Sequence, residues 1–248
     1  MWNIFPGDKR MFYLKQILKN KKNKNSIEIL PIPVSRDKVH ICNSNIKIED
    51  FFENLNPNSL VFCGKKSLIP DDILKKHKIY DYSDNETFLL KSAELTSYGV
   101  LKIINEKSNR PMNNLKILIS GFGRIGKLVS QIFLGLKSKV YVMGHSEKDS
   151  FWTDNFGALE FKYQNEQFDF IINTVPEMIF YEENLKNIKS ENYIELASYP
   201  GVEKKLCEDL NINYISALGI PGKFYPMQAA KIIEESIIKI LDKLEGEK

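Results

Sequence analysis

Three glycines, Gly121, Gly123 and Gly126, stand in "ISGFGRIGK" (119–127), directly after the apolar run "LKILIS" and at the head of a helical pattern. That context reads as a dinucleotide-binding turn. The first glycine permits the bend, the second admits backbone N–H groups to a pyrophosphate, and the third lets helix and strand pack closely. Arg124 and Ile125 lie between the second and third glycines, on the helix N-terminus that would face the phosphates. An NAD binder usually places Asp or Glu at the end of the next strand, about 20 residues on, to bond the ribose 2′-OH. Here the chain reads "VMGHSEK". Gly144, His145 and Ser146 suit a 2′-phosphate, with Lys148 and Arg124 close in sequence, so NADP is the expected cofactor. NAD stays open, because Glu147 is one or two places away.

Later strand ends fall on the same carboxyl edge, where open α/β sheets bind ligands. "NTVPEM" offers Asn173 and Thr174 to the nicotinamide ribose, and Pro176 would stop the strand. "ELASYPG" (195–201) and "ALGIPGKFYP" (217–226) close the next two strands. Ser198, Tyr199, Lys223 and Tyr225 are their candidates for a substrate-facing wall, with Lys223 and Tyr225 as candidate catalytic residues. Each loop also has a plain reading as a connector. A hydroxyacid dehydrogenase takes its alcohol proton with a base, usually a histidine late in the cofactor domain, and no histidine follows His145. Oxidising a partly reduced ring to an aromatic one demands less, since a lysine, a tyrosine or water can take that proton.

The elements that must position these residues alternate between apolar runs and helical periodicity, the pattern of an α/β fold with parallel sheets. From Leu115 onward, "LKILIS", "KVYVMG", "LEF", "FDFIINT", "NYIELA" and "INYISAL" supply the strands of a complete dinucleotide-binding sheet. The earlier part predicts a smaller sheet from "SIEILPIP", "KVHIC" and "SLVFC", with helices near 8–19, 48–55 and 70–77. The expectation is therefore a two-domain α/β protein. Residues 1–108 form a small Rossmann-like or flavodoxin-like substrate-side domain that includes a long linking helix, 85–106. Residues 109–248 form a doubly wound NAD(P)-binding Rossmann domain ending in a helix over 226–244, which has Pro226 in its first turn and could return to the first domain.

Composition narrows the class. The chain has 248 residues, 43% hydrophobic, a formal charge of +3 and three cysteines. The lysine clump "KNKKNKNS" (19–26) has no interleaved aromatic residues, so it reads as a solvated loop, and no nucleic-acid partner is expected. Cys42, Cys63 and Cys207 are far apart and form no metal-binding spacing. No apolar run approaches the ~18 residues of a membrane span. A cytoplasmic protein without metal or membrane partner is expected.

Several stretches together resemble the family of the dipicolinate synthase A subunit: "NLKILISGFGRIGK", "DFIINTVPEMI", "IELASYPGV" and "ALGIPGKFYPMQAAKII". In the earlier part, "FPGDKR" is similar to that family's Gly-Gly-Asp-x-Arg start, "LPIPVSRD" to its Leu-Pro-x-Pro segment, and "LVFCGK" to the strand and glycine that follow. The resemblance covers nearly the whole chain. It departs in the linking helix, where the family's Pro-Thr-x-Glu-Gly is here Leu95, Thr96, Ser97, Tyr98 and Gly99, and in a shorter first domain.

The resemblance implies NADP-dependent oxidation of dihydrodipicolinate, or its hydroxytetrahydro precursor, to dipicolinate during sporulation. It further implies that the flavoprotein-like B subunit of dipicolinate synthase is the partner, in the cytoplasm of the mother cell. Self-association is left open. The alternative is a non-catalytic NAD(P)-binding subunit that activates its partner. A dicarboxylate needs cations, because a buried unpaired carboxylate costs several kcal/mol. Arg10 and Arg36 from the first domain and Lys223 from the second are the candidates, with Ser198 beside them.

Overall fold

The computed structural model describes residues 1–144, 146–162 and 165–246. By contact the chain forms two compact units, Met1–Ser92 together with Pro221–Lys248, and Ala93–Ile220.

The first unit carries β1 (Trp2–Ile4), α1 (Lys9–Leu18), β2 (Ile27–Ile29), α2 (Ile48–Glu53), β3 (Leu60–Cys63), α3 (Asp71–Lys76) and β4 (Ile79–Asp81). Its strands are all parallel and lie in chain order, β1-β2-β3-β4. Asp8 caps α1, its carboxylate accepting from Arg10 N at 2.9 Å. "KVHIC" is not a strand. The carboxylate of Asp37 accepts from Val39 N at 2.9 Å and His40 N at 2.8 Å, which bends the chain, and Cys42 N returns to Val34 O at 2.8 Å. Only an isolated bridge, His40 with Lys47, remains of the expected pairing.

A long helix, α4 (Glu86–Lys107), leads from the first unit into the second. The second unit then runs β5 (Lys116–Ser120), α5 (Arg124–Gly135), β6 (Lys139–Met143), α6 (Glu147–Phe156), β7 (Leu159–Glu160) and β8 (Glu166–Asn173). It continues through α7 (Glu182–Leu185), β9 (Ile188–Glu195), α8 (Lys204–Asp209) and β10 (Asn213–Ser216). Its parallel sheet has the order β10-β9-β8-β5-β6-β7. The chain moves outward from β5 to β7 and then resumes on the other side at β8, so the order reverses beside β5, where doubly wound sheets hold dinucleotides. Ile117, Leu118, Ile119, Phe170, Ile171 and Ile172 are buried along the two central strands, as a sheet covered on both faces requires.

The last helices, α9 (Ile220–Phe224) and α10 (Pro226–Gly246), correct the expected boundary. From Pro221 onward the chain belongs to the first unit, not the cofactor domain. α10 buries Ala229, Ala230, Ile233, Ile237 and Leu241 and packs on α1, whose Met11, Leu14 and Leu18 are buried in turn. Ser236 Oγ donates to Tyr82 O at 2.6 Å and accepts from Asn85 Nδ2 at 2.8 Å.

Candidate active site

The glycine turn has a different physical reason at each of its three positions. Gly121 has φ +84°, and a Cβ there would lie 2.6 Å from both Thr174 Oγ1 and Val175 Cγ2. At Gly126 a Cβ would stand 2.2 Å from Gly121 O, so α5 packs on the turn only because the position is bare. Gly123 is exposed, and a Cβ there would meet nothing within 4 Å. Gly123 is also the N-cap of α5, and no side chain caps that helix. An open, uncapped helix N-terminus reached by a tight turn fits a pyrophosphate. Arg124 is exposed and Ile125 half-buried on its first turn.

At the end of β8 the side chain of Asn173 is fully engaged. Its Oδ1 accepts from Ser120 Oγ at 2.6 Å and Val175 N at 3.1 Å, and its Nδ2 donates to Glu195 Oε1 at 2.8 Å and Val175 O at 3.0 Å. Asn173 is completely buried. It is therefore not a side-chain ligand of the nicotinamide ribose, and instead ties the ends of β5, β8 and β9 together. Thr174 Oγ1 donates to Ser120 O at 2.8 Å, beside the glycine turn, and Pro176 is exposed beyond it.

Glu195, which sequence reasoning missed, is the centre of that frame. Its buried carboxylate also accepts from Ala197 N at 2.9 Å, Gly201 N at 2.8 Å and Tyr193 OH at 3.2 Å. A Glu at the end of an apolar strand, followed by a Pro/Gly loop, was the available signal. Burial, then the Glu195 charge, raises the Tyr193 phenol and pushes the Cys207 thiol up to about 12. Burial likewise raises Cys63. None of these groups is poised as a nucleophile.

At the end of β6, Ser146 caps α6, its hydroxyl accepting from Asp149 N at 3.2 Å. Among the described residues its own O–H has no acceptor. Gly144 packs on Asp149, whose Cβ lies 2.6 Å from the position a Gly144 Cβ would take. A carboxylate therefore stands beside the β6 terminus that the sequence spacing did not place there. His145 lies outside the described residues.

Ser198 and Tyr199 are exposed on the loop after β9. Lys223 and Tyr225, exposed and half-buried, lie in the first unit with Arg10 and Arg36. Arg36 is exposed in the loop that Asp37 organises, not directly after a strand as expected, since β2 ends at Ile29. Arg10 is not a free cation: its guanidinium pairs with Asp8 and reaches Ile32 O. Tyr98 is 44% exposed, and its hydroxyl donates to Glu94 Oε1 at 3.1 Å, one turn back on α4. Among the described residues no group of three His, Cys, Asp or Glu could hold a metal. No described helix is long and apolar enough to cross a membrane.

No family model matches the chain. Over 208 residues it is 23% identical to the A subunit of dipicolinate synthase from Bacillus subtilis, covering 80% of this chain and 70% of that protein. The chain is similar in sequence to the dipicolinate synthase A subunit. The crystal structure of that protein from Bacillus subtilis superposes with a TM-score of 0.83 at 19% identity, covering 100% of this chain and 97% of that one. The A subunit of dipicolinate synthase from Bacillus halodurans gives the same TM-score and identity, over 97% of each chain. An NAD-complexed D-isomer-specific 2-hydroxyacid dehydrogenase from Lactobacillus delbrueckii is more distant, with a TM-score of 0.58 at 14% identity over 99% of this chain and 97% of that one. At these identities the solved structures establish the fold, and it is that of the dipicolinate synthase A subunit.

Proposed function

We propose that this protein is an NADP-dependent oxidoreductase that converts dihydrodipicolinate, or its hydroxytetrahydro precursor after loss of water, to dipicolinate. It would act as the A subunit of a dipicolinate synthase, in the cytoplasm of a sporulating mother cell with a flavoprotein-like B subunit. The observation that carries the reading is the sequence similarity to the dipicolinate synthase A subunit over 208 residues, which includes the glycine turn. When bound, the nicotinamide supplies a hydride acceptor. The chain supplies the cradle: the α5 N-terminus at Gly123 for the pyrophosphate, and Ser146 for the adenosine ribose or its phosphate. The Asn173–Glu195 frame fixes the strand ends around it. Aromatisation provides the driving force, so the second hydrogen leaves as a proton to solvent without a strong base; Tyr225→Phe tests whether a side chain takes it instead.

Two observations favour narrower alternatives. Asp149 beside Gly144 favours NAD over NADP, because a carboxylate repels a 2′-phosphate and accepts from a 2′-OH. Tyr98, bonded to Glu94 at the position of the family glutamate, favours a non-catalytic NAD(P)-binding subunit that activates its partner. The deciding experiment follows NADPH absorbance with enzymatically made dihydrodipicolinate, using the purified chain alone and with the B subunit. Turnover by the chain supports the enzyme. Cofactor binding without turnover in either mixture refutes it.

A further inference from the structure

Two stretches more than two hundred residues apart, "FPGDKR" and "PGKFYP", meet within the first unit. The Arg10 guanidinium is held on two sides. Its Nε lies 3.0 and 2.9 Å from the two Asp8 oxygens, and its Nη2 donates to Asp8 Oδ2 and to Ile32 O, each at 2.6 Å. Gly222 lies against this pair. A Cβ there would be 2.8 Å from Arg10 Nε and 2.9 Å from Asp8 Oδ2, so α9 can come this close only at a glycine. Ile32 is fixed in turn, because Gly64 packs on it at a distance that leaves no room for a Cβ.

Of the five guanidinium N–H donors, Nε and Nη2 use three. The two on Nη1 have no protein partner among the described residues and lie on the part of the Arg10 side chain, 13% exposed, that solvent reaches. A donor pair held in place and open to solvent can exchange water for a ligand acceptor. Lys223 follows Gly222 directly, is exposed, and makes no ion pair among the described residues.

We propose that Arg10 Nη1 and Lys223 form a carboxylate-binding site contained within the first unit, with Asp8 and Gly222 as its positioning residues. Asp8 cancels the charge of Arg10, which leaves the net charge of Lys223. The site therefore matches one singly charged carboxylate better than a doubly charged phosphate. Charge-assisted N–H donors of this kind make the stronger hydrogen bonds. The proposal rests on the reading above only for the ligand's identity, a ring dicarboxylate held here through one of its carboxylates.

The test titrates the full chain calorimetrically with dipicolinate, benzoate and inorganic phosphate. Lys223→Gln and Gly222→Ala should each weaken dipicolinate and benzoate at least tenfold, with NADPH affinity unchanged. Lys24→Gln, an exposed lysine elsewhere in the unit, should change neither. Asp8→Asn retains a helix cap but frees the Arg10 charge, so it should shift preference from benzoate towards phosphate, which a merely structural role would not do. The proposal is overturned if Lys223→Gln and Gly222→Ala bind dipicolinate like the unmodified chain, or if Lys223→Gln turns over dihydrodipicolinate with unchanged KM. Lys223-dependent benzoate binding in a chain without turnover would support the site and sink the reaction.

Discussion

Asn173 Nδ2 donates to Glu195 Oε1 across 2.8 Å, and both side chains are buried. With Ser120 on β5, the pair joins three adjacent strands at the edge where the glycine turn sits. Asn173→Ala would leave the Ser120 hydroxyl without its acceptor and remove one of the two donors to Glu195 Oε1, which keeps Ala197 N, at a cost of about 1–3 kcal/mol. Urea denaturation should register that loss. Unfolding at the unmodified midpoint would mean that the frame is dispensable.

The glycines predict opposite phenotypes. Gly123→Ala adds a methyl group into open space in front of the α5 N-terminus, so the melting temperature should hold while NADPH affinity falls at least tenfold. Gly126→Ala drives a methyl group into Gly121 O, so the fold should weaken first. Thermal melts paired with cofactor titration separate the two. Full affinity in Gly123→Ala would make the turn structural only.

The six-strand sheet was legible because β5 and β8 are apolar on both faces, and the glycine turn because its spacing carries its own geometry. β1 and β4 were not, since three residues are too few to display a period. "KVHIC" alternates like a strand, but a single carboxylate, Asp37, turns it into a loop. Asn173 looked free because its partners, Ser120 and Glu195, are distant in sequence. Arg10 and Lys223 were assigned to different domains for a similar reason. The return of α10 to α1 is a long-range packing event, and the amphipathic pattern of a helix does not name the surface it covers.

Cofactor preference depends on the β6 terminus. If Ser146 donates to a 2′-phosphate, NADPH should bind at least tenfold more tightly than NADH, about 1.4 kcal/mol. Ser146→Asp should invert that order, and Asp149→Asn should widen it by removing a repelling charge. Equal titration curves for the two cofactors in the unmodified chain would end the NADP reading, and a preference for NADH would assign the ribose to Asp149.

The buried thiol on α8 makes stability fall at alkaline pH. Burial, then the nearby Glu195 carboxylate, pushes Cys207 from 9.0 up to about 12. The folded state thus holds this proton more tightly than the unfolded chain. The stabilisation is complete below the unfolded value and is lost as pH rises through the window from 9 to about 12. The unfolding free energy should accordingly decline over that window, and less steeply in Cys207→Ala. Comparing slopes removes the constant cost of the cavity that the substitution leaves. A thiol reagent supplies an independent check: at pH 8 Cys207 should stay unmodified in the native protein and react once denaturant is added. Modification of native Cys207 at the rate of the denatured chain would contradict the burial that raises its pKa.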